Sequence, residues 1–242
     1  MSSLNISVLT LFPQLIDQYF SESIFGAAQE SGILQIDSVD FRKFSDDKHN
    51  SVDDMPFGGG PGMVLSPQPI IDCIDETKPP KPVIYLSPAG ETFNQKLAEE
   101  LVDLGEFSLL CGRYEGLDQR VRDTVVDREI SIGNFVLAGG EAAAISIIEA
   151  TARLVPGVVG NESSPVDESF ANDLIEYPQY TRPAEFRGLS VPEVLRSGNH
   201  ELVDKWRLAK SLAITSRLRP DLIEQRGGLT PSEVELLADF EL

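Results

Sequence analysis

Cysteine is nearly missing from this chain: Cys73 and Cys111 are the only two among 242 residues, and neither stands in a metal-ligand spacing. They fit a reducing compartment as small buried side chains. Histidine is as scarce, and His49 and His200 are too few and too far apart to build a histidine-based metal site. No apolar run approaches the ~20 residues that a membrane span requires. The stretch from Met1 to Ile6 lacks the basic and apolar regions of a secretion signal. The expectation is a cytoplasmic protein with no membrane partner and no protein-built metal centre.

Cations are also short. Lys and Arg number 20 against 39 Asp and Glu, a net charge of −19 that argues against nonspecific adhesion to nucleic acid. The shortage is uneven. Through residue 171 there are 11 Lys/Arg and 27 Asp/Glu, net −16, whereas from 172 onward there are 9 and 12, net −3. A polyanion would therefore meet local arginine clusters in the C-terminal third.

The length suits one large domain or two smaller ones, and 41% hydrophobic residues suffice for a real core. Strand-like apolar runs at 5–12, 33–39, 83–86 and 107–111 alternate with helical spacing at 14–29, 67–74, 94–103, 118–125 and 141–154. Short extended pieces are expected at 129–132 and 135–137. Ser66 reads as an N-cap with Pro67 in the first helical position. This alternation predicts an α/β domain with a mostly parallel sheet. Residues 156–183 read mostly as loop, and helices at 191–195, 201–215 and 231–240 predict a small helical domain.

Glycine punctuates the ends of the apolar runs. It stands in Cys111-Gly112-Arg113-Tyr114-Glu115-Gly116, in the run from Ser131 to Glu141, and in Ser87-Pro88-Ala89-Gly90. Ligands in open α/β sheets sit at the carboxyl ends of strands, so three such loops could enclose an adenosine-sized group. Phe57-Gly58-Gly59-Gly60-Pro61-Gly62-Met63 could hold a phosphate or a flat base with its N–H groups. It is neither a Walker A loop nor a dinucleotide fingerprint, and a hinge is the plainer reading.

Arg153 reads either as a cation complementing a helix C-terminus or as a functional charge. Asp167 and Glu168 read either as a solvated pair or as a general base on a closing loop. Arg182, Arg187, Arg196, Lys205, Arg207 and Lys210 could contact phosphates, or form an ordinary solvated face. Trp206 reads as core, and His200 as a helix-start residue.

These segments converge on a family. Leu11-Phe12-Pro13, Ser51-Val52-Asp53-Asp54, the 57–63 and 111–116 segments, and Ser131 through Leu137 resemble the bacterial tRNA (guanine-N1)-methyltransferases that modify guanosine 37. Gly139-Gly140-Glu141, Val155-Pro156-Gly157-Val158, Tyr180-Thr181-Arg182-Pro183 and Ser197-Gly198-Asn199-His200 continue the resemblance in order along nearly the whole chain. It implies a SPOUT-type parallel α/β sheet with a deep trefoil knot, plus a small C-terminal helical domain. The implied layout is a knotted cofactor domain at 1–160, a mobile linker at 161–176 and a tRNA-binding domain at 177–242. It also implies a homodimer with composite active sites, and a tRNA substrate with guanosine at 36 and 37.

By position, the resemblance assigns S-adenosylmethionine to Tyr85, Leu86, Ser87, Pro88, Gly112, Tyr114, Glu115, Gly116, Ile132, Gly133, Asn134, Phe135, Val136, Leu137, Gly139 and Gly140. Asp53, Gly58, Gly59, Gly60, Glu176, Arg182, Ser197 and His200 would hold the substrate. A magnesium ion is a further expectation, with no residue assigned to it. A loop carboxylate would act as base and Arg153 would hold the charge on guanine O6. The family reads Glu-Asp-Ser-Phe where this chain has Asp167-Glu168-Ser169-Phe170, so Glu168 stands at the base position and Asp167 is the alternative. Phe135 replaces a common Tyr, and Asn134 a frequent Asp.

Overall fold

Five strands with near-continuous apolar character lie side by side. They are β1 (Leu4–Thr10), β2 (Leu34–Asp40), β5 (Val83–Thr92), β6 (Glu106–Cys111) and β7 (Arg128–Ser131). All pairings are parallel, in the order β2-β1-β6-β5-β7. Such a sheet needs cover on both faces. Alternate residues of the strands accordingly enter two cores. Ile6, Val8, Ile84, Leu86, Phe107 and Leu109 pack with α1 (Pro13–Phe20), α2 (Ser23–Glu30), α4 (Gln95–Leu104) and α6 (Glu141–Ala152). Leu9, Val83, Tyr85 and Leu110 pack with α3 (Pro67–Thr77) and α5 (Gln119–Thr124) on the other face. Truncating a fully buried side chain such as Phe107 to Ala costs about 3–5 kcal/mol.

This computed structural model describes residues 3–159, 169–170 and 173–242. The chain divides into two compact units, Met1–Glu162 and Ser163–Leu242. Asp167, Glu168 and most of the 161–176 linker lie outside the described residues.

Several elements differ from expectation. The helix predicted over 14–29 is two helices, because Phe20 and Phe25 are both buried and meet edge-to-face at 5.3 Å. Five residues apart on one continuous helix, they would point about 140° from each other. β5 runs past Leu86 because Leu86 and Glu91 both register with Ile130, and residues 87–90 loop out of the ladder between them. Gly90 permits this: a Cβ there would overlap the Ile130 backbone. Ser66 is the N-cap of α3, but its side chain makes no capping bond. Residues 135–137 are irregular rather than extended. By contrast, Asn94 caps α4 through the Leu97 N–H at 3.0 Å, and Asp118 caps α5 through the Arg120 N–H at 2.9 Å.

The second unit holds a hairpin of β8 (Glu185–Phe186) and β9 (Leu189–Ser190), then α7 (His200–Leu218), α8 (Pro220–Gln225) and α9 (Pro231–Asp239). Asn199 caps α7 through the Leu202 N–H, and Thr230 with Glu233 forms a capping box on α9. Where a helix was expected at 191–195 there is a short 3-10 turn, Glu193–Arg196. Trp206, Ala209 and Leu212 form the buried face of α7. Among the described residues, no helix is long and apolar enough to cross a membrane.

Candidate active site

The carboxyl ends of β5, β6 and β7 open into one cavity of about 220 Å³, walled by the 87–90 bulge, the loop after β6 and the segment joining β7 to α6. A parallel sheet leaves its strand-end loops on one edge, so segments far apart in sequence meet there. The lining includes fifteen of the sixteen residues assigned to the cofactor in the sequence; Asn134 is the one outside it. Arg113, Ile130, Ser131, Ala138 and Ala143 also line it, and the sequence reading assigns none of them to the cofactor.

Two of the walls interlock through their main chains. The Gly140 N–H donates to the Gly112 carbonyl at 2.9 Å, and Arg113 bridges Gly139 in antiparallel fashion. Gly140 lies so close to β6 that a Cβ would stand 2.8 Å from Cys111 Cα. Glycine here serves close approach rather than flexibility. Ser87 and Ser131 add buried hydroxyls, and Ser131 exchanges hydrogen bonds with the Gly133 backbone. Burial pushes the Tyr85 phenol above its ordinary pKa, partly offset by the nearby Arg122 guanidinium. The Tyr85 ring lies against Gly112, where an added Cβ would stand 3.0 Å from its hydroxyl. Cys111 is fully buried behind the cavity, and burial followed by the Glu141 charge pushes its thiol well up.

A polar circuit lies behind these walls. Glu141, the first residue of α6, is 3% exposed. Its carboxylate accepts from Thr10 Oγ1 at 2.7 Å and pairs with Arg113 Nη2 at 2.9 Å. Thr10 Oγ1 accepts from the Phe12 N–H at 3.0 Å, and the Arg113 guanidinium lies 4.4 Å from the centre of the Phe12 ring. Sequence reasoning had not assigned roles to these four residues, because their partners are remote along the chain.

On the cavity rim, Glu115 is exposed and is the only carboxylate among the lining residues. Its loop is tied to the glycine-rich segment, which forms the tip between β3 (Asp53–Asp54) and β4 (Val64–Leu65). The Glu115 N–H donates to the Met63 carbonyl and the Leu65 N–H to the Gly116 carbonyl, each at 2.9 Å. Asp53 is half-buried at the base of this hairpin, and Gly58, Gly59 and Gly60 are exposed at its tip.

Arg153 sits half-buried at the C-cap of α6. Glu176, Arg182, Ser197 and His200 belong to the second unit. There, the Glu176 N–H donates to Ser169 Oγ at 3.0 Å, and its carboxylate accepts from Gln179. Arg182, Ser197 and His200 are exposed, with His200 opening α7. Trp206 is core, with Tyr180 tilted toward it at 6.4 Å.

A cleft walled by main chain and apolar side chains, with hydroxyls inside and one carboxylate on its rim, suits a nucleoside carrying a positive group. Residues 4–225 match the family model described as tRNA (Guanine-1)-methyltransferase TrmD. A protein of Clostridium botulinum named tRNA (guanine-N(1)-)-methyltransferase is 52% identical over 239 residues, 98% of each chain. Identically named proteins of Geobacillus kaustophilus and Latilactobacillus sakei are 49% and 51% identical, over 98% and 91% of each chain. The chain belongs to the tRNA (guanine-1)-methyltransferase family.

Proposed function

We propose that this protein transfers a methyl group from S-adenosylmethionine to N1 of guanosine 37 in tRNA, next to the anticodon. The observation that carries the reading is the main-chain-walled cavity at the carboxyl ends of β5, β6 and β7, in a chain of this family. Its residues fit the donor. Leu86, Ile132 and Leu137 offer apolar surface, Ser87 and Ser131 offer hydroxyls, and Glu115 offers a carboxylate to a cationic group.

Bound S-adenosylmethionine supplies an electrophilic methyl on sulfonium. The rest falls to the protein. Guanine N1 carries a proton at neutral pH and is a poor nucleophile, so a base must remove it while charge grows on O6. Glu168 takes that proton, with Asp167 as the alternative, and Arg153 offsets the O6 charge. The glycine-rich tip at 58–60 and Asp53 hold the base, while Glu115 and Glu176 orient the reacting groups. Alignment of N1 with the methyl then sets the rate.

The walls belong to a deep trefoil knot of the SPOUT type, an exception to the general absence of knots. The working form is a homodimer in the cytoplasm, with each active site built across the interface. Exposed apolar side chains on the first unit, among them Phe12, Leu15, Tyr19, Ile24 and Val136, support a partner surface. The second unit grips tRNA through Arg182, Ser197, His200 and neighbouring cations. Among the described residues, no group of three or more His, Cys, Asp or Glu could hold a metal ion.

The test is methyl transfer from labelled S-adenosylmethionine to an unmodified tRNA transcript with guanosine at 36 and 37, beside a transcript with adenosine at 37. One-methylguanosine from the first transcript alone is the expected product. Label in a ribose or in another base would sink the reading.

A further inference from the structure

The Thr10, Phe12, Arg113 and Glu141 circuit has no part in the chemistry just described, yet it adjoins both interlocked walls. Arg113 belongs to the wall after β6, and Glu141 directly follows Gly139 and Gly140 in the other. We propose that the half-buried Arg113 and the buried Glu141 form an ion-pair clamp that sets the spacing of the two cavity walls, making both of them positioning residues for methyl transfer. The proposal rests on the cavity being the methyl-donor site.

The geometry is a closed loop through four separate elements. The Phe12 N–H donates to Thr10 Oγ1, and Thr10 spends its one hydroxyl proton on Glu141 Oε1. Glu141 Oε2 meets Arg113 Nη2 at 2.9 Å, and the guanidinium returns to the Phe12 ring at 4.4 Å. Thr10 ends β1, Phe12 precedes α1, Arg113 follows β6 and Glu141 opens α6. The positive end of the α6 dipole favours the Glu141 charge. The Arg113 side chain crosses the space that a Cβ on residue 139 would need, so Gly139 and the clamp are one arrangement.

Stability alone does not account for the pair. Burying the Glu141 charge fully and the Arg113 charge in part takes away hydration, and well-packed apolar residues of similar volume often serve a core as well or better. What an apolar pair cannot reproduce is a charge–charge attraction between the 112–116 segment and the start of α6. The guanidinium supplies that link: Nη2 lies 2.9 Å from Glu141 Oε2, Nη1 donates to the Ala138 carbonyl at 3.5 Å, and the group lies over the Phe12 ring.

The experiment uses the full chain, with S-adenosylhomocysteine as probe, followed by calorimetry and steady-state kinetics. Glu141→Gln removes the carboxylate charge and leaves Arg113 without its counter-ion. It should weaken S-adenosylhomocysteine about tenfold to a hundredfold, the scale on which small misplacements of a site are felt. The donor KM should rise by a similar factor, while the tRNA KM stays unchanged. Arg113→Lys, which keeps the charge without the fork, should recover part of the loss seen in Arg113→Met. The decisive variant is the apolar pair Arg113→Met with Glu141→Leu. It should melt near the parent yet still bind S-adenosylhomocysteine poorly.

Parent-like affinity in that double variant, or in Glu141→Gln, would overturn the clamp. If the double variant does not fold, the KM split in Glu141→Gln decides, and a loss shared equally between donor and tRNA would count against the proposal. Failure of the unaltered protein to bind S-adenosylhomocysteine would instead overturn the donor-site reading itself.

Discussion

The cavity walls and the tip of the β3–β4 hairpin are both rich in glycine, but their surroundings are opposite. At Gly139 and Gly140 an added Cβ would collide with Arg113 or with the end of β6. At Gly58, Gly59 and Gly60 it would meet nothing within 4 Å, although all three have positive φ. The same residue type thus does two jobs. In the walls it allows backbones to interlock beside an ion pair; at the tip it leaves an exposed segment with open space around each Cα. The first region is locked by contact with its neighbours, and the second is open to solvent.

The largest effect should come from neither region. Replacing Glu168 with Gln and Asp167 with Asn should slow single-turnover methyl transfer by about 10²–10⁴-fold, the usual worth of a general base. Affinity for S-adenosylhomocysteine should stay unchanged, and a parallel loss of that affinity would show that this segment helps to build the cavity. Gly140→Ala comes next. It should weaken S-adenosylhomocysteine about a hundredfold by pushing α6 away from β6, as misplacement on the scale of about 1 Å does in a tight site. A fully active Gly140→Ala would deny that the walls interlock.

Salt separates the partners. Raising ionic strength from about 50 to 200 mM should weaken tRNA about tenfold or more if a few arginine–phosphate contacts hold it. S-adenosylhomocysteine binding should change little over the same range. Gly59→Ala at the tip should cost at most about fivefold to thirtyfold in the tRNA KM, since an alanine held at positive φ costs about 1–2 kcal/mol, and the donor KM should not move. An equal rise in both would erase the contrast between walls and tip.

The smallest effect concerns the thiols. Burial raises Cys73 to about 11 and Cys111 well above the ordinary thiol range. Both should therefore resist a thiol reagent at pH 8 in the folded protein and react on unfolding. The linkage follows. These thiols stay protonated when folded but ionise near pH 9 when unfolded, so their contribution is complete below that pH. It is lost as pH rises from there through the folded values. A thermal midpoint that rises above pH 9 would contradict this.

Much of the first unit was legible because its signals are local. Apolar runs of strand length ending at Cys111-Gly112 or Leu86-Ser87 mark the sheet and its ligand-bearing edge. The break between α1 and α2 was not legible, because it depends on two phenylalanines meeting in the core. The β8–β9 hairpin and α8 are too short to show a period. The clamp was hidden for a different reason. Thr10 and Glu141 lie 131 residues apart, and only the parallel topology brings them together. Arg113 and Glu141 were visible within glycine motifs, but nothing local says that one charge neutralises the other.

The most direct test of a preorganised donor cavity is calorimetric titration of the unaltered full chain with S-adenosylhomocysteine in the absence of RNA. The account predicts saturable binding that S-adenosylmethionine competes away and that changes little when tRNA is added. Binding that appears only after tRNA is present would contradict it, because the walls would then be assembled by the substrate rather than locked by the fold.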